Sequence, residues 1–251
     1  MKYVFAGDRK ISVQILEWLI KKGNMPLALF VSEGKNETHS NELIGLVRNL
    51  DCNVYRGRDI NELEAQEELT KYNLDYIIGV HYPFIISKRT IDMPKVGFLN
   101  LHPAYLPYNK GWHTPSWSIL DSNIYGATLH FMTEELDKGD IINQEELNVD
   151  ICDTADSLYE KVLRLEFKVF KDAYEDLINL SPRRLKQSNL GTTHKKAELN
   201  TVARIGLFEQ YSFFEIYNKL RGLTTNNINE AAFFEHNERK FRIQIIIKEE
   251  K

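Results

Sequence analysis

Short apolar runs alternate with longer amphipathic stretches along the first eighty residues, and this alternation limits the possible folds more than any other feature. The apolar runs have strand length and occupy residues 3–6, 27–31, 53–55 and 75–80. The stretches between them repeat apolar side chains at helical spacing and occupy residues 11–22, 41–50 and 62–72. Strands and helices in this order form a parallel sheet covered by helices on both faces. The sequence therefore predicts an α/β fold with a doubly wound, mostly parallel sheet.

The rest of the chain predicts a continuation of this sheet and then a smaller region of different character. Further strands are expected at residues 96–101, 127–132 and 141–147, and one long helix at residues 154–180, which Ser181-Pro182 ends. Beyond it, a helix is expected at residues 213–220 and a hairpin at residues 231–234 and 241–247. We therefore expect a large domain over residues 1–180 and a small α+β appendage over residues 181–251. The hairpin would present Ile243, Ile245 and Ile247 on one face, which would suit a dimer interface.

Composition excludes several classes of protein. The 251 residues are 43% hydrophobic, enough for a large core, and the net charge of −4 gives no electrostatic reason to bind nucleic acid or a membrane surface. No apolar run approaches the roughly 20 residues that a membrane-spanning helix needs. Cys52 and Cys152 lie far apart, and neither belongs to a cluster with metal-ligand spacing. We therefore expect free thiols, no metal site and a cytoplasmic protein.

A polar pair stands at the end of the strand expected at residues 96–101. Asn100 and His102 are separated by one residue, so both side chains leave the same face of an extended chain. Pro103 follows directly and ends regular strand pairing. Because the carboxyl ends of parallel strands are the usual place for chemistry in an open α/β sheet, we expect both side chains in one pocket.

A carboxylate in the segment Leu136-Asp137-Lys138-Gly139-Asp140 is a candidate third member of this site. An amine that attacks an acyl carbon generates an oxyanion, which needs a hydrogen-bond donor, and the nitrogen must lose a proton. Asn100 and His102 have these two capacities, and a carboxylate would orient the imidazole, with Asp137 the natural choice and Asp140 its competitor. The alternative is structural: an interior histidine, with the asparagine and the aspartate capping turns.

The sequence around these residues resembles a known family. The segments Asn-Leu-His-Pro-Ala-Tyr-Leu-Pro at 100–107 and Leu-Asp-Lys-Gly-Asp-Ile-Ile at 136–142, with Gly111 between them, are similar to the motifs of formyltransferases that use 10-formyltetrahydrofolate. The resemblance covers roughly residues 1–180 and implies a catalytic triad of Asn100, His102 and Asp137. Residues 107–119 are similar to those of the subgroup that formylates amino sugars attached to a nucleotide.

The resemblance implies a reaction and its partners. A formyl group would pass from 10-formyltetrahydrofolate to the amine of a dTDP-linked amino-dideoxy sugar, with dTDP-4-amino-4,6-dideoxyglucose the expected one, in the synthesis of a bacterial surface polysaccharide such as the O-antigen of lipopolysaccharide. The chain would bind a folate and a sugar nucleotide as a homodimer. One alternative is glycinamide ribonucleotide formyltransferase of purine synthesis, which shares the triad, although residues 6–10 do not form a Gly-Ser-Gly type phosphate loop. Another is a folate- or nucleotide-binding protein without catalysis.

The resemblance also implies where the folate binds. In the family, main-chain groups before the triad strand and in the loop that leads to the catalytic aspartate hold the pterin ring. The corresponding residues are Phe84, Ile85, Ile86, Thr133 and Asp137. Core packing is the alternative for the first three.

Contacts with the second substrate are expected in two segments. Gly7, Asp8 and Arg9 follow the first strand, where backbone donors and a guanidinium would meet phosphate or sugar groups, unless they form only a solvated turn. The loop after the triad would contact the sugar or the diphosphate through Tyr108, Lys110, Trp112 and His113. Core packing is the alternative for Trp112. The segment Arg221-Gly222-Leu223-Thr224-Thr225 is a further candidate for the diphosphate or the thymine end, unless it only terminates a helix.

Overall fold

The computed structural model describes residues 1–34 and 37–250 and contains a central seven-stranded sheet. The strands of the chain are β1 (Tyr3–Gly7), β2 (Ala28–Val31), β3 (Asn53–Arg56), β4 (Tyr76–Val80), β5 (Gly97–His102), β6 (Lys110–Gly111), β7 (Tyr125–Phe131), β8 (Ile141–Leu147), β9 (Thr193–His194), β10 (Ala232–His236) and β11 (Arg239–Ile243). The helices are α1 (Arg9–Lys21), α2 (Ser40–Val47), α3 (Leu63–Lys71), α4 (Lys88–Ile91), α5 (Thr114–Leu120), α6 (Ala155–Asp172), α7 (Tyr174–Ile178), α8 (Glu198–Val202) and α9 (Phe213–Gly222).

The sheet has the order β3-β2-β1-β4-β5-β7-β8, and its first five strands are parallel. The strand order reverses between β1 and β4, which is the switch point of a doubly wound fold. β1, β2 and β4 are buried along their whole length, as expected for parallel strands covered on both faces. β7 pairs antiparallel with β5. The predicted fold class is thereby confirmed.

The single helix expected at residues 154–180 was wrong, because two helices are separated at Ala173. The backbone of Ala173 has ψ −10, and this turn places Tyr174 edge-on against Trp18, 4.7 Å between ring centroids. The second helix ends at Ile178, and Leu180 beyond it has φ +55, while the Ser181 N–H donates to the Asp176 carbonyl at 3.0 Å. A left-handed residue with this hydrogen bond is typical of a helix C-terminus, so the helix has already ended before Pro182.

The C-terminal hairpin is present, but its second strand was placed too late. β10 and β11 are joined by Asn237 and Glu238, which both have positive φ, as a two-residue type I′ turn requires. β11 therefore ends at Ile243, which pairs with the first residue of β10. The predicted strand through Ile247 is wrong, because β10 offers no residue beyond Ala232 and Ile245 N donates to the Thr224 hydroxyl instead.

The chain forms two compact units, and neither is continuous in sequence. The first unit contains residues 1–102, 128–144 and 166–187, and the second contains residues 103–127, 145–165 and 188–251. This grouping does not test the domain boundary expected near residue 180, which stays a prediction. No helix of residues 1–34 and 37–250 combines the length and the apolar character needed to cross a membrane.

Candidate active site

The end of β5 places two polar side chains beside the neighbouring strand β7. Asn100 and His102 alternate with Leu101, as an extended strand requires. Antiparallel pairing sets His130 of β7 directly opposite Asn100, and Asn100 Nδ2 lies 3.3 Å from His130 Nε2. The side chain of His130 is 1% exposed. The pair of strands therefore brings an amide and two imidazoles together at this end of the sheet.

Asp137 lies against both imidazoles. Its Oδ2 is 3.7 Å from His102 Nε2, and its Oδ1 is 3.6 Å from His130 Nε2. The side chains of His102 and Asp137 are 7% and 8% exposed, so the carboxylate has little water around it. Asp140, the competing carboxylate, instead pairs with Lys186 at 2.9 Å. We call Asn100, His102, His130 and Asp137 the polar cluster.

Hydrogen bonds restrict the chemistry of His130. Its Nδ1 lies 2.8 Å from the Phe131 carbonyl, which can only accept, so Nδ1 carries the hydrogen. In the neutral ring Nε2 then accepts from Asn100 Nδ2, and this bond orients the amide and leaves its second N–H available. In the protonated ring the Nε2–H faces the Asp137 carboxylate. Either state ties His130 to a member of the predicted triad, although the sequence interpretation did not include it.

The loop that carries Asp137 has an unusual backbone. Asp137 has φ +51, in the left-handed region that few residues other than glycine adopt. A Cβ on Gly139 would clash with the Phe131 carbonyl oxygen, so this position admits only glycine without a shift of the backbone. The Asp-x-Gly pattern thus combines a turn that aims the carboxylate with close contact between the loop and β7.

Ile86, one of the residues expected to hold the folate, lies in a buried apolar cluster of the first unit. Ile86, Ile91 and Phe98 belong to one buried cluster, and Met132 packs against it. Phe84 lies against Tyr82, 5.1 Å between ring centroids, whereas the side chain of Ile85 is 92% exposed. The Thr133 hydroxyl donates to the Glu135 carbonyl at 3.0 Å. The exposed side chains of Lys88 and Glu134, which follow these two segments closely in sequence, lie 4.0 Å apart.

In the segment Gly7-Asp8-Arg9, the first two residues are engaged in packing and hydrogen bonds within the protein. A Cβ on Gly7 would clash with Phe5 and Ser12, so close packing requires this glycine. Asp8 is fully buried, and its Oδ1 accepts from the Thr38 hydroxyl at 2.9 Å and from the Thr38 and His39 amides. The buried Asp8 carboxylate would repel a phosphate group bound beside it. Arg9, 44% exposed and 3.7 Å from Asp8 Oδ2, keeps the better capacity for a ligand.

The polar residues of the second unit occupy different environments. Lys110 lies in β6, which pairs with β9, and is only 5% exposed. Trp112 is 42% exposed, and the Lys196 ammonium lies 4.7 Å from the centre of its ring. Tyr108 is half-buried. Burial lowers the pKa of His113, although Glu230, 3.8 Å away, acts in the opposite direction. Trp112 therefore has an exposed aromatic face rather than a place in the core.

Arg221, a candidate for the diphosphate, is instead an interior residue of the second unit. It is 6% exposed, and Nη1 donates to the carbonyls of Asp150 and Asp153 at 2.9 and 3.0 Å. Its Nε donates to Asn218 Oδ1 at 2.8 Å. With these donors directed at protein acceptors, Arg221 joins α9 to the segment before α6.

Two further features of the first unit lie outside the polar cluster. A cavity of about 560 Å³ is lined by residues that include Phe98, Thr133 and Arg184, but by no member of the polar cluster. His81, at the end of β4, has φ +53, and its Nε2 lies 2.8 Å from Oε1 of the buried Glu166. Within the part of the chain that the structure describes, no group of three or more His, Cys, Asp or Glu side chains could hold a metal ion.

Comparisons with known proteins agree on one family. The family profile described as formyl transferase matches residues 23–174, and that of the N-formyltransferase dimerization C-terminal domain matches residues 198–249. A dTDP-4-amino-4,6-dideoxyglucose formyltransferase of Mycobacterium bovis is 28% identical over 177 residues, which are 70% of this chain and 75% of the relative.

Two solved structures share the fold. A sugar N-formyltransferase from a Shewanella species has a TM-score of 0.85 at 20% identity and covers 100% of this chain and 99% of its own. An N-formyltransferase of Helicobacter canadensis in complex with folinic acid and dTDP-3-aminofucose has a TM-score of 0.73 at 24% identity, and the match covers 95% of this chain and 85% of that one.

Proposed function

This chain belongs to the formyl transferase family, and from that membership we propose that it transfers the formyl group of 10-formyltetrahydrofolate to the amine of dTDP-4-amino-4,6-dideoxyglucose. Formyl transfer follows from the family, whereas both substrates and the residues that act on them are our proposal. The observation that carries it is the polar cluster, in which an amide, two imidazoles and a carboxylate meet within 3.3–3.7 Å.

The polar cluster supplies the groups that formyl transfer to an amine needs. When the amine attacks, the carbonyl oxygen becomes negative, and the second N–H of Asn100 together with protonated His102 stabilises that charge. The attacking nitrogen forms a bond to the formyl carbon, and the bond from that carbon to the folate nitrogen breaks. Protonated His102 gives its proton to the leaving folate nitrogen and takes up the proton that the attacking amine loses. Asp137, almost shielded from water, favours the protonated imidazole and holds its orientation. His130 aims the Asn100 amide through the 3.3 Å contact.

A cavity of about 560 Å³ beside Thr133 offers apolar surface for a folate ring, because Ile91, Phe98 and Met132 line it. Ile86 belongs to the same buried cluster as Ile91 and Phe98, and the exposed side chain of Ile85 is available for further apolar contact. The Ile85 carbonyl accepts from Asn61 Nδ2 at 2.7 Å and the Ser87 amide donates to Asn61 Oδ1 at 2.8 Å, so this segment has a defined backbone. We assign the folate to Phe84, Ile85 and Ile86 together with Thr133 and Asp137. Folate supplies the activated formyl group.

In the first unit we assign the sugar nucleotide to the segment Gly7-Asp8-Arg9, in which the exposed guanidinium of Arg9 rather than the buried Asp8 carboxylate would meet the ligand. In the second unit we assign it to the loop after β5. That loop contributes Tyr108, Lys110, Trp112 and His113. An exposed indole with a lysine beside it suits a sugar or a base next to a diphosphate. The Mycobacterium bovis relative is named for the 4-amino sugar, which supports this substrate over the 3-amino isomer. The product would serve a bacterial surface polysaccharide such as O-antigen, and the compartment would be the cytoplasm.

The proposal includes a homodimer. Residues 198–249 match a domain described by its role in dimerization. The second unit exposes apolar side chains within this range, among them Phe208 at 98%, Phe213 at 79% and Phe214 at 56%. Exposed aromatic side chains in one short segment are typical of a surface that another chain covers. Equilibrium sedimentation of the protein, with Phe208→Ser and Phe213→Ser beside it, tests this part of the proposal.

Mass spectrometry of the products tests the reaction. The protein is incubated with 10-formyltetrahydrofolate and, in separate reactions, with dTDP-4-amino-4,6-dideoxyglucose, its 3-amino isomer and glycinamide ribonucleotide. We expect a formyl mass gain on the 4-amino sugar, and its loss in His102→Ala. The variant His236→Ala, which alters an exposed histidine of the C-terminal hairpin, controls for the loss of an imidazole elsewhere in the chain.

The other outcomes separate the alternatives. A gain only on the 3-amino sugar would keep the mechanism and move the substrate, and a gain only on glycinamide ribonucleotide would place the enzyme in purine synthesis. Binding of folate without any product would contradict catalysis and favour a binding protein.

A further inference from the structure

In the loop that carries Asp137, the residues before the aspartate make little packing contact. Glu134, Glu135 and Leu136 are exposed, and Asp137 itself has φ +51. A left-handed backbone at an aspartate is sparsely populated unless surrounding contacts stabilise it. The position of the Asp137 carboxylate therefore depends on contacts from another part of the chain.

Gln187 provides such contacts from fifty residues further along. Its Nε2 donates to the Asp137 carbonyl at 2.9 Å and to the Gly139 carbonyl at 2.7 Å. Both partners are carbonyl oxygens, which only accept, so the orientation of the amide is determined and both of its N–H groups are used. One side chain thus joins the residue at each side of Lys138.

The segment around Gln187 reaches the loop through a short pairing with β8. Leu185 and Ile141 exchange two backbone hydrogen bonds of 2.8 and 2.9 Å in an antiparallel bridge. Lys186 lies 2.9 Å from Asp140. The two segments run antiparallel, so Leu185 lies opposite Ile141 and Lys186 opposite Asp140. Gln187 therefore lies opposite Gly139.

We infer that Gln187 is a positioning residue, which holds the Asp137 carboxylate against His102 and His130. This inference rests on the proposed catalytic role of Asp137. Gln187 does not touch the reacting atoms; it acts on the backbone at Asp137 and Gly139. A side chain of this length with two N–H donors is required, because an acceptor in its place would face two carbonyl oxygens.

The test compares kcat and both KM values of formyl transfer in matched variants. Gln187→Glu preserves the shape and replaces the donor with an acceptor, and Gln187→Met preserves the length without polarity. Since a displacement of about 1 Å at a catalytic group costs about a hundredfold in rate, we expect kcat to fall about tenfold or more in Gln187→Glu. Both KM values should stay within about threefold if Gln187 acts only through the backbone of Asp137 and Gly139. Because Gln187 lines the same cavity as Thr133, a rise in the KM of the folate without a fall in kcat would overturn the inference and assign Gln187 to the folate. The control Lys186→Gln alters an exposed ion pair of the same segment and should keep kcat within about twofold.

A double-variant comparison separates positioning from a general structural role. If Gln187 acts through Asp137, Gln187→Glu should add no further loss of kcat in an Asp137→Asn background. Losses that multiply, or an unchanged kcat in Gln187→Glu and Gln187→Met, would overturn the inference. Should Gln187→Glu fail to fold, Gln187→Met answers the same question.

Hydrogen exchange keeps this test independent of the proposed function. Amides of residues 132–141 should exchange faster in Gln187→Glu and Gln187→Met than in the natural protein and Lys186→Gln, and unchanged exchange would overturn the inference. If Asp137→Asn retains full activity, the catalytic assignment fails, while the exchange result still decides whether Gln187 holds the loop.

Discussion

The buried guanidinium of Arg221 allows a stability prediction whose size follows from its contacts. The perturbation is Arg221→Met, which keeps the length and most of the apolar surface of the side chain. It removes three hydrogen bonds of 2.8–3.0 Å to Asp150, Asp153 and Asn218. At about 1.5 kcal/mol for each bond to a charged donor, the free energy of unfolding should fall by about 4.5 kcal/mol.

Thermal and urea unfolding measure this loss. For a chain of this size, about 4.5 kcal/mol corresponds to roughly 10–15 °C in the midpoint of the transition that involves Arg221. Arg239→Met is the matched control, because Arg239 is exposed in the hairpin, and we expect a change within about 0.5 kcal/mol. Arg221→Lys should lose an intermediate amount, since one ammonium cannot reach all three acceptors.

Two results would refute this reasoning. Equal changes in Arg221→Met and Arg239→Met would show that the buried hydrogen bonds contribute little to stability. A normal melting temperature combined with weakened binding of the sugar nucleotide would instead assign Arg221 to the ligand.

Three further predictions concern the polar cluster, its loop and the second unit. His130→Phe should lower kcat about tenfold, the value of one orienting hydrogen bond to Asn100, and steady-state kinetics would contradict this if kcat were unchanged. Gly139→Ala should lower kcat about a hundredfold, because a Cβ would clash with the Phe131 carbonyl and displace the loop; wild-type kinetics would refute it. Burial opposes ionisation of Asp153, but hydrogen bonds from a lysine, a serine and a backbone amide outweigh it and lower its pKa. The stabilising contribution of Asp153 is therefore present above the ordinary carboxyl pKa and is lost as the pH falls through the lowered pKa. In urea unfolding, the free energy of unfolding of Asp153→Asn should therefore fall less on acidification than that of the natural protein.

The elements that the sequence predicted well are those with a local cause. Strand-length apolar runs and helical spacing identified the strands of the parallel sheet and their helices, because these periodicities depend only on neighbouring residues. The helix break at Ala173 had no local signal, since alanine favours helix, and it accompanies the packing of Tyr174 on Trp18. Likewise, the end of β11 was set by the length of its partner strand rather than by its own isoleucines.

The candidate site divides in the same way. The one-residue spacing of Asn100 and His102 determined that both side chains share a face, and the Asp-x-Gly pattern identified the loop with Asp137. Only the tertiary structure decided that His130 lies opposite Asn100, because this depends on the direction and register in which β7 pairs with β5. It also decided that Gln187 holds the Asp137 loop. Side-chain periodicity is a local property of the backbone, whereas strand pairing and contacts between distant segments depend on how the whole chain packs.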